Sequence, residues 1–258
     1  GLDLHTLLAG RAGKETLIEV TRPDGKATVL ITPVSGAADT ELRYKAEVRA
    51  RAAKVNELSG GKLGYLHIRA MSEPSVRDFE RDLFAAADGK LGLVIDVRDN
   101  GGGSTADILL ASLTAPRHAY TANRGLDPSN VKRDAYPRDR RVIYGYVRPI
   151  SVLINQNSFS NAEIFSHAVK TIGRGKLVGT ATYGGVISTG SATLIDGTTV
   201  RTPFRGWYLP DNKDMENNGA RPDFDVPMTP DAEVMGVDPQ MKAAVEELLK
   251  RCENSEFK

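Results

Sequence analysis

One apolar segment, residues 91–97, constrains the fold of this 258-residue chain more than any other. An almost uninterrupted aliphatic run is typical of a β-strand that is covered on both faces. Residues 74–87 predict an amphipathic helix, residues 150–155 a further strand, and residues 162–172 a further helix. Because strands that alternate with helices favour βαβ crossovers, the sequence predicts an α/β fold.

The first 34 residues differ from the rest of the chain. They predict one short helix and a β-hairpin, which together bury too little apolar surface to be stable alone. Residues 35–60 follow as a linker or surface segment, and residues 35–39 within it have the composition of a flexible connection. We therefore expect residues 61–258 to form the main domain.

Composition argues against several classes of partner. The chain carries 34 Lys and Arg residues against 33 Asp and Glu residues, which gives no electrostatic reason to expect nucleic acid or an anionic membrane. No apolar run approaches the roughly 20 residues of a membrane span. The single cysteine, Cys252, leaves no internal disulfide and offers no metal cluster. Because the chain opens with Gly1 rather than a methionine, we expect it to be a piece of a longer protein.

Ser160 stands at the turn between the strand of residues 150–155 and the helix that follows. Its spacing to Glu163 fits a capping box, and spacing alone favours that interpretation because S-x-x-E is common at helix starts. The alternative is a nucleophilic serine, near which the first helical N–H groups and the helix dipole favour a developing oxyanion. The two interpretations differ in one respect, because an attacking hydroxyl must be free of a capping bond.

Two further loops carry groups that could take part in chemistry. Gly101, Gly102 and Gly103 follow the strand of residues 91–97, and such a loop exposes backbone N–H groups to a closely approaching substrate. The spacing fits neither G-x-G-x-x-G nor the Walker pattern, so an oxyanion loop and a tight turn both stay open. Glu216 lies in a polar loop, and in isolation it is best interpreted as a solvated carboxylate.

Taken in order, the segments resemble one protein family. The motifs are GKLGYLHI at residues 61–68, LVIDVRDNGGG at 93–103, INQNSFSNAEIF at 154–165, GRGKLVGTATYGGV at 173–186, IDGTTV at 195–200 and ENNGARPD at 216–223. They are similar to the tricorn proteases, within the wider group of C-terminal-processing, or tail-specific, serine peptidases. No single motif is specific, but the combination is, and it covers nearly the whole chain.

The resemblance implies a fold and an activity. It implies a ClpP/crotonase-like, βαβ-rich sheet core in residues 61–258, preceded by the C-terminal part of a PDZ domain in residues 1–34. It implies a serine peptidase with a peptide substrate, no cofactor and no metal, and a homo-oligomeric full-length protein. The compartment expected is the cytoplasm, with the periplasm as the alternative.

The resemblance also implies roles for individual residues. Ser160 matches the nucleophile, the backbone N–H groups of Gly103 and Asn161 match the oxyanion hole, and Glu216 matches the relay glutamate. The pair Gly184-Gly185 stands where the processing branch has a lysine, which assigns the chain to the tricorn branch. We expect a side chain at Gly103 to abolish activity and to be tolerated in folding.

Two positions depart from the tricorn pattern. The tricorn general base is a histidine placed before the PDZ domain, so we expect the base to lie outside this chain. Thr121 stands where the tricorn pattern has an acid linked to a preference for basic residues, so that preference is not expected here. The histidines of this chain are poor substitutes for the base, since a base must come within hydrogen-bond reach of Ser160: His5, His67, His118 and His167.

Two other interpretations of the chain stay open. A non-catalytic peptide-binding module would keep the groove and lose turnover, and the missing histidine favours it. A crotonase-like acyl-CoA enzyme uses related backbone oxyanion loops. Such an enzyme needs no serine nucleophile, so the Ser160 turn argues against it.

Overall fold

The computed structural model describes residues 3–114, 127 and 145–253. The chain divides into two compact units, Gly1–Arg51 and Ala52–Lys258. The sequence also predicts a strand at residues 142–146, which lie mostly outside the described residues, as do His118 and Thr121.

The first unit contains a short helix and the expected hairpin. Helix α1 spans Leu4–Leu7, and strands β1 (Thr16–Arg22) and β2 (Gly25–Ile31) pair antiparallel. The expectation of a flexible connection at residues 35–39 is wrong, because helix α2 occupies Gly36–Leu58. The sequence does not predict this helix because its residues are mostly charged and exposed and form no strong apolar stripe.

The second unit begins within α2, at Ala52, and contains the remaining strands and helices. Its strands are β3 (Leu63–His67), β4 (Gly92–Asp96), β5 (Ile150–Ile154), β6 (Gly175–Gly179), β7 (Ser188–Thr193), β8 (Thr199–Arg205) and β9 (Phe224–Asp225). Its helices are α3 (Glu73–Ala87), α4 (Ala106–Thr114), α5 (Asn161–Thr171), α6 (Pro230–Val234) and α7 (Pro239–Glu253).

Five strands form one parallel sheet in the order β3-β4-β5-β6-β9. Every residue of β4 and β5 is buried, as the apolar run predicts. Parallel strands need crossover connections, and α3 joins β3 to β4 while α5 joins β5 to β6. The prediction of an α/β fold is therefore confirmed at the level of a mostly parallel sheet with helical crossovers.

The core of this unit lies between the parallel sheet and its helices. Phe79 and Leu83 of α3 and Phe165 of α5 are almost inaccessible to solvent, and they belong to the same apolar cluster as the sheet residues. Helix α3 approaches β3 closely at Gly64, where a Cβ atom would stand 1.9 Å from the Ala86 carbonyl oxygen. Glycine at this position therefore sets the distance between the helix and the sheet.

A buried ion pair fixes the end of β4. Arg98 is 4% exposed, and its guanidinium lies 2.7 Å from the Asp96 carboxylate and 2.9 Å from Asp238, next to the start of α7. The Tyr65 hydroxyl donates to Asp96 at 2.9 Å. Burial alone would lower the pKa of Arg98, but Asp96 and Asp238 raise it above its usual value, so the side chain stays charged. This network anchors the strand from which the glycine loop departs.

Strands β7 and β8 form a separate antiparallel hairpin whose residues are mostly exposed. In this part of the chain the sequence pattern predicts only one strand, at residues 192–194. Within the described part of the chain, none of the helices combines the length and the apolar character needed to cross a bilayer.

Candidate active site

The candidate site lies where β4 and β5 end, at the carboxyl edge of the parallel sheet. The loops that follow the two strands are tied together. The Ser158 hydroxyl donates to the Val97 carbonyl at 2.8 Å, and the Phe159 N–H donates to the Asn100 carbonyl at 2.9 Å. These bonds hold the glycine loop against the turn that contains Ser160.

Ser160 has a strained backbone conformation. Its φ of 57° and ψ of −119° place it in a region that residues other than glycine rarely occupy. Such a conformation costs of the order of 1–3 kcal/mol and persists only where the surroundings enforce it. A serine in a strained conformation on a sharp strand-to-helix turn has the backbone geometry of a nucleophile elbow.

The hydrogen bonds around Ser160 bear on the choice between a cap and a nucleophile. Ser160 and Glu163 form a capping-box pair, in which the Ser160 N–H donates to Glu163 Oε1 at 2.9 Å. The Ser160 side chain faces the Glu163 N–H in this box, but that N–H donates to the Ser160 carbonyl oxygen at 2.9 Å, and the serine hydroxyl makes no full capping hydrogen bond. The well-formed bond of the capping box is therefore the one that the glutamate accepts.

The glycine loop packs directly on the serine turn. A Cβ atom on Gly102 would lie 2.7 Å from Ser160 Cβ and 3.0 Å from the Asn161 backbone nitrogen. Gly102 also has a φ of 89°, and its N–H donates to Asn100 Oδ1 at 2.9 Å. Asn100 is fully buried and donates its amide to the Ile68 carbonyl at 2.8 Å, which braces the loop from behind.

Gly103 and Asn161 present two backbone N–H groups in this neighbourhood. Across the described ranges no hydrogen bond occupies either N–H, although the neighbouring Gly102 N–H and Ser104 N–H are both paired. The Asn161 side chain accepts a bond from the Ala106 N–H at 2.8 Å, which fixes the start of α5 against the start of α4. Two free, rigidly held N–H groups beside a serine hydroxyl can stabilise an oxyanion.

The expectation that a side chain at Gly103 would be tolerated in folding is wrong. A Cβ atom there would stand 1.8 Å from the Met71 carbonyl oxygen, and Gly103 has a φ of 144°. Met71 and Gly103 form a bridge between the two loops, so any side chain would force the backbones apart. Substitution at this position would disturb the structure as well as the N–H group.

The Glu163 carboxylate does much more than cap α5. The residue is completely buried, and its oxygens accept bonds from the Thr182 hydroxyl at 2.7 Å, the Gly185 N–H at 2.9 Å and the Gly184 N–H. With the Ser160 N–H this makes four donors to one carboxylate. Spacing within α5 could not show this, since three of the donors come from a loop about 20 residues further on.

Glu216 is half-buried and is held by backbone groups. Its Oε2 atom accepts from the Val186 N–H at 2.8 Å and the Ile187 N–H at 3.0 Å. The interpretation as a freely solvated carboxylate is therefore wrong. Within residues 3–114, 127 and 145–253 no direct hydrogen bond joins Glu216 to Ser160, and the two are connected through the loop that carries Gly184 and Gly185.

The described histidines are engaged elsewhere. His167 is 8% exposed, and its Nε2 atom lies 3.0 Å from the Asn218 carbonyl oxygen. Burial lowers the pKa of His167 below its ordinary value, although the bond to Asn218 acts in the opposite direction. The Nε2 atom of His67 lies 3.3 Å from the Arg98 carbonyl oxygen, and His5 is exposed in the first unit.

No group of three or more His, Cys, Asp or Glu side chains suited to a metal ion occurs in the portion of the chain that the structure describes. The site brings together a serine hydroxyl, two backbone N–H groups and two anchored carboxylates. A parallel α/β sheet with a strained serine at its carboxyl edge, facing a glycine loop, is the arrangement of a serine hydrolase.

Comparison with known proteins narrows this class. Peptidase family S41 matches residues 62–226. Tricorn protease homolog 1 of Streptomyces coelicolor is 37% identical over 242 residues, which are 93% of this chain and 22% of that protein. Tricorn protease of Thermoplasma acidophilum is 31% identical over 256 residues, 98% of this chain and 23% of that protein. A crystal structure of the tricorn protease superposes with a TM-score of 0.78 at 29% identity, covering 97% of this chain and 24% of that chain.

The chain belongs to peptidase family S41. The resemblance to tricorn proteases that the motifs indicated is confirmed by these relatives. The chain spans less than a quarter of the length of each of them, as the shares of 22%, 23% and 24% state.

Proposed function

We propose that this chain is the catalytic core of a tricorn-type serine peptidase that hydrolyses peptide bonds through an acyl-enzyme on Ser160. The observation that carries the proposal is the strained Ser160 turn, with φ 57°, packed against the glycine loop. Membership of a peptidase family supports the same chemistry. The activity belongs to the full-length protein, of which this chain supplies the nucleophile and the oxyanion donors.

In the proposed reaction Ser160 Oγ attacks the carbonyl carbon of a peptide bond, and its proton passes to a histidine base. The carbonyl oxygen takes up the negative charge and accepts hydrogen bonds from the Gly103 and Asn161 N–H groups. The tetrahedral intermediate then breaks its C–N bond, and the leaving amine takes the proton from the histidine. A water molecule attacks the resulting ester in the same way, which releases the carboxylate product and restores the serine.

The general base in this proposal comes from a segment N-terminal to this chain. Its support is that His67 and His167 both face backbone carbonyl groups of other segments. Glu216 orients the base, and its support is that the backbone N–H groups of the described residues bond Oε2, so that within this part of the chain Oε1 can receive a partner.

The wider organisation of the protein is proposed on the same grounds. Residues 1–34 are the end of a PDZ domain, residues 35–60 join it to the catalytic domain, and residues 61–258 form a ClpP/crotonase-like core. The full-length protein is a homo-oligomer that acts on peptides in the cytoplasm, with the periplasm as the alternative. It needs no nucleic acid, membrane, cofactor or metal for the steps above.

A non-catalytic peptide-binding module is the second candidate. The observation that favours it is that the Nε2 atoms of His67 and His167 each lie against a backbone carbonyl group outside the serine turn. Turnover by the full-length protein separates the two candidates.

The decisive experiment treats the full-length protein with a serine-directed fluorophosphonate and locates the label by mass spectrometry. We expect the label on Ser160, with Ser158 and Ser151 unmodified because both are buried and hydrogen-bonded. The Ser160→Ala variant should lose hydrolysis of fluorogenic peptides, and this chain on its own should hydrolyse them far more slowly than the full-length protein. A label on Ser158 or Ser151, or full turnover by Ser160→Ala, would refute the proposal.

A further inference from the structure

Two carboxylates in this site accept hydrogen bonds from four consecutive backbone N–H groups. Glu163 accepts from Gly184 and Gly185, and Glu216 accepts from the next two residues, Val186 and Ile187. We call residues 184–187 the shared segment. It connects the glutamate at the start of α5 with the glutamate expected to orient the base.

Glu163 carries more bonds than a cap requires. A capping-box glutamate needs only the bond from the N-cap N–H, which here is the Ser160 N–H at 2.9 Å. A carboxylate with no exposure to solvent is costly unless its lost hydration is replaced. The shared segment and the Thr182 hydroxyl supply that replacement, so the position of this carboxylate is fixed from several directions at once.

The hydrogen bond from the Ser160 N–H to Glu163 restrains the backbone of the proposed nucleophile itself. Ser160 holds a φ of 57°, which its surroundings must enforce. The φ and ψ of Ser160 also set the direction of its hydroxyl and of the Asn161 N–H, because that N–H belongs to the next peptide unit. A group that restrains the Ser160 backbone therefore restrains the nucleophile and one oxyanion donor together.

We propose that Glu163 is a positioning residue for Ser160, which holds the nucleophile in its strained conformation and locks it to the shared segment that also anchors Glu216. The proposal rests on the proposed function of Ser160 as the nucleophile. It predicts that Glu163 contributes to kcat in addition to stabilising α5.

The test compares two buried glutamates in the full-length protein. Glu163→Gln keeps the size of the side chain but turns one acceptor into a donor that faces other donors. Glu247→Gln is the matched control, because Glu247 is 9% exposed and bonds Ser151 and Arg251 away from the site. For each variant we would measure kcat and KM on a fluorogenic peptide, the rate at which a fluorophosphonate labels Ser160, and the Tm.

We expect Glu163→Gln to lower both kcat and the labelling rate by about 10- to 100-fold, with KM nearly unchanged, since small displacements of reacting groups have effects of this size. Glu247→Gln should lower the Tm and leave kcat and labelling close to wild type. Unchanged kcat and labelling in Glu163→Gln, or losses that match those of Glu247→Gln at the same Tm, would overturn the proposal.

Two further measurements keep the result decisive. If Glu163→Gln does not fold, Glu163→Asp retains the charge, withdraws it by one methylene group, and should show the same loss of labelling. Ser160→Ala, measured in parallel, separates this inference from the proposed function. Peptide turnover that survives in Ser160→Ala would refute the function, while the labelling rates would still decide whether Glu163 positions Ser160.

Discussion

Replacing Gly102 with alanine should impair the reaction at Ser160 without removing any functional group. The added methyl carbon would lie 2.7 Å from Ser160 Cβ and 2.8 Å from the Phe159 carbonyl oxygen. Ordinary contacts begin near 3.4 Å, so the loop or the serine turn must yield by about 0.7 Å, and displacements of about 1 Å can cost roughly 10²-fold in rate. The φ of 89° at this residue adds strain of the order of 1–3 kcal/mol.

The neighbouring glycine provides the control. A Cβ on Gly101 would meet no atom within 4 Å, so Gly101→Ala should behave like the wild type. We expect Gly102→Ala to lower kcat/KM for a fluorogenic peptide by about 10- to 100-fold and to slow fluorophosphonate labelling of Ser160 in parallel. Equal kcat/KM and equal labelling in the two alanine variants would refute the packing argument. Gly103 is unsuitable for this test, because its Cβ would strike the Met71 carbonyl oxygen whatever its part in catalysis.

Two further predictions concern stability, measured by chemical denaturation. Asp96→Asn leaves buried Arg98 without its closest carboxylate and should lower the free energy of unfolding by about 3–5 kcal/mol. Glu19→Gln, in an exposed pair with Lys26, should lower it by at most about 1 kcal/mol. Similar losses in both variants would contradict the argument that the buried pair matters more. Burial lowers the pKa of His167 in the folded chain, so as the pH falls the unfolded chain protonates this histidine before the folded chain does. Its contribution to stability is therefore retained above the unfolded pKa of about 6.5 and is lost as the pH drops below that value. His167→Gln should reduce this dependence between pH 7.5 and 5.5, and an unaltered dependence would show that other groups cause it.

The parts of the fold that sequence could predict are those with a strong local pattern. The run at residues 91–97 identified β4 because burial on both faces leaves no polar alternation. Helix α2 escaped notice because charged, exposed residues give little apolar periodicity. Strand β9 is only two residues long, Phe224–Asp225, and depends on its pairing with β6 rather than on its own composition.

In the candidate site, too, local sequence patterns predict some features, and others depend on contacts that only the fold creates. The motif around Ser160 predicted the turn, but spacing could not decide whether the hydroxyl or the glutamate does the capping. The sequence predicts only the capping role of Glu163, because the fold brings in its other hydrogen-bond donors from a distant loop. The signal that could have pointed to it was the glycine pair itself, because consecutive glycines that offer N–H groups imply an acceptor nearby.

The glycine pair Gly184-Gly185 also bears on which kind of residue can be the base that accepts the proton of Ser160. A Cβ on Gly185 would lie 2.7 Å from Phe159 Cε2 and 3.0 Å from the Tyr183 ring, and these two rings stack edge to face with centroids 5.0 Å apart. Gly184 has a φ of 91°, and a Cβ atom on it would lie 3.2 Å from the Gly219 backbone nitrogen. A lysine at either position would have to displace an aromatic pair or adopt an unfavourable backbone, and its ammonium group would compete with N–H donors that already satisfy Glu163. The packing around residues 184 and 185 thus argues against a lysine base at either of these positions.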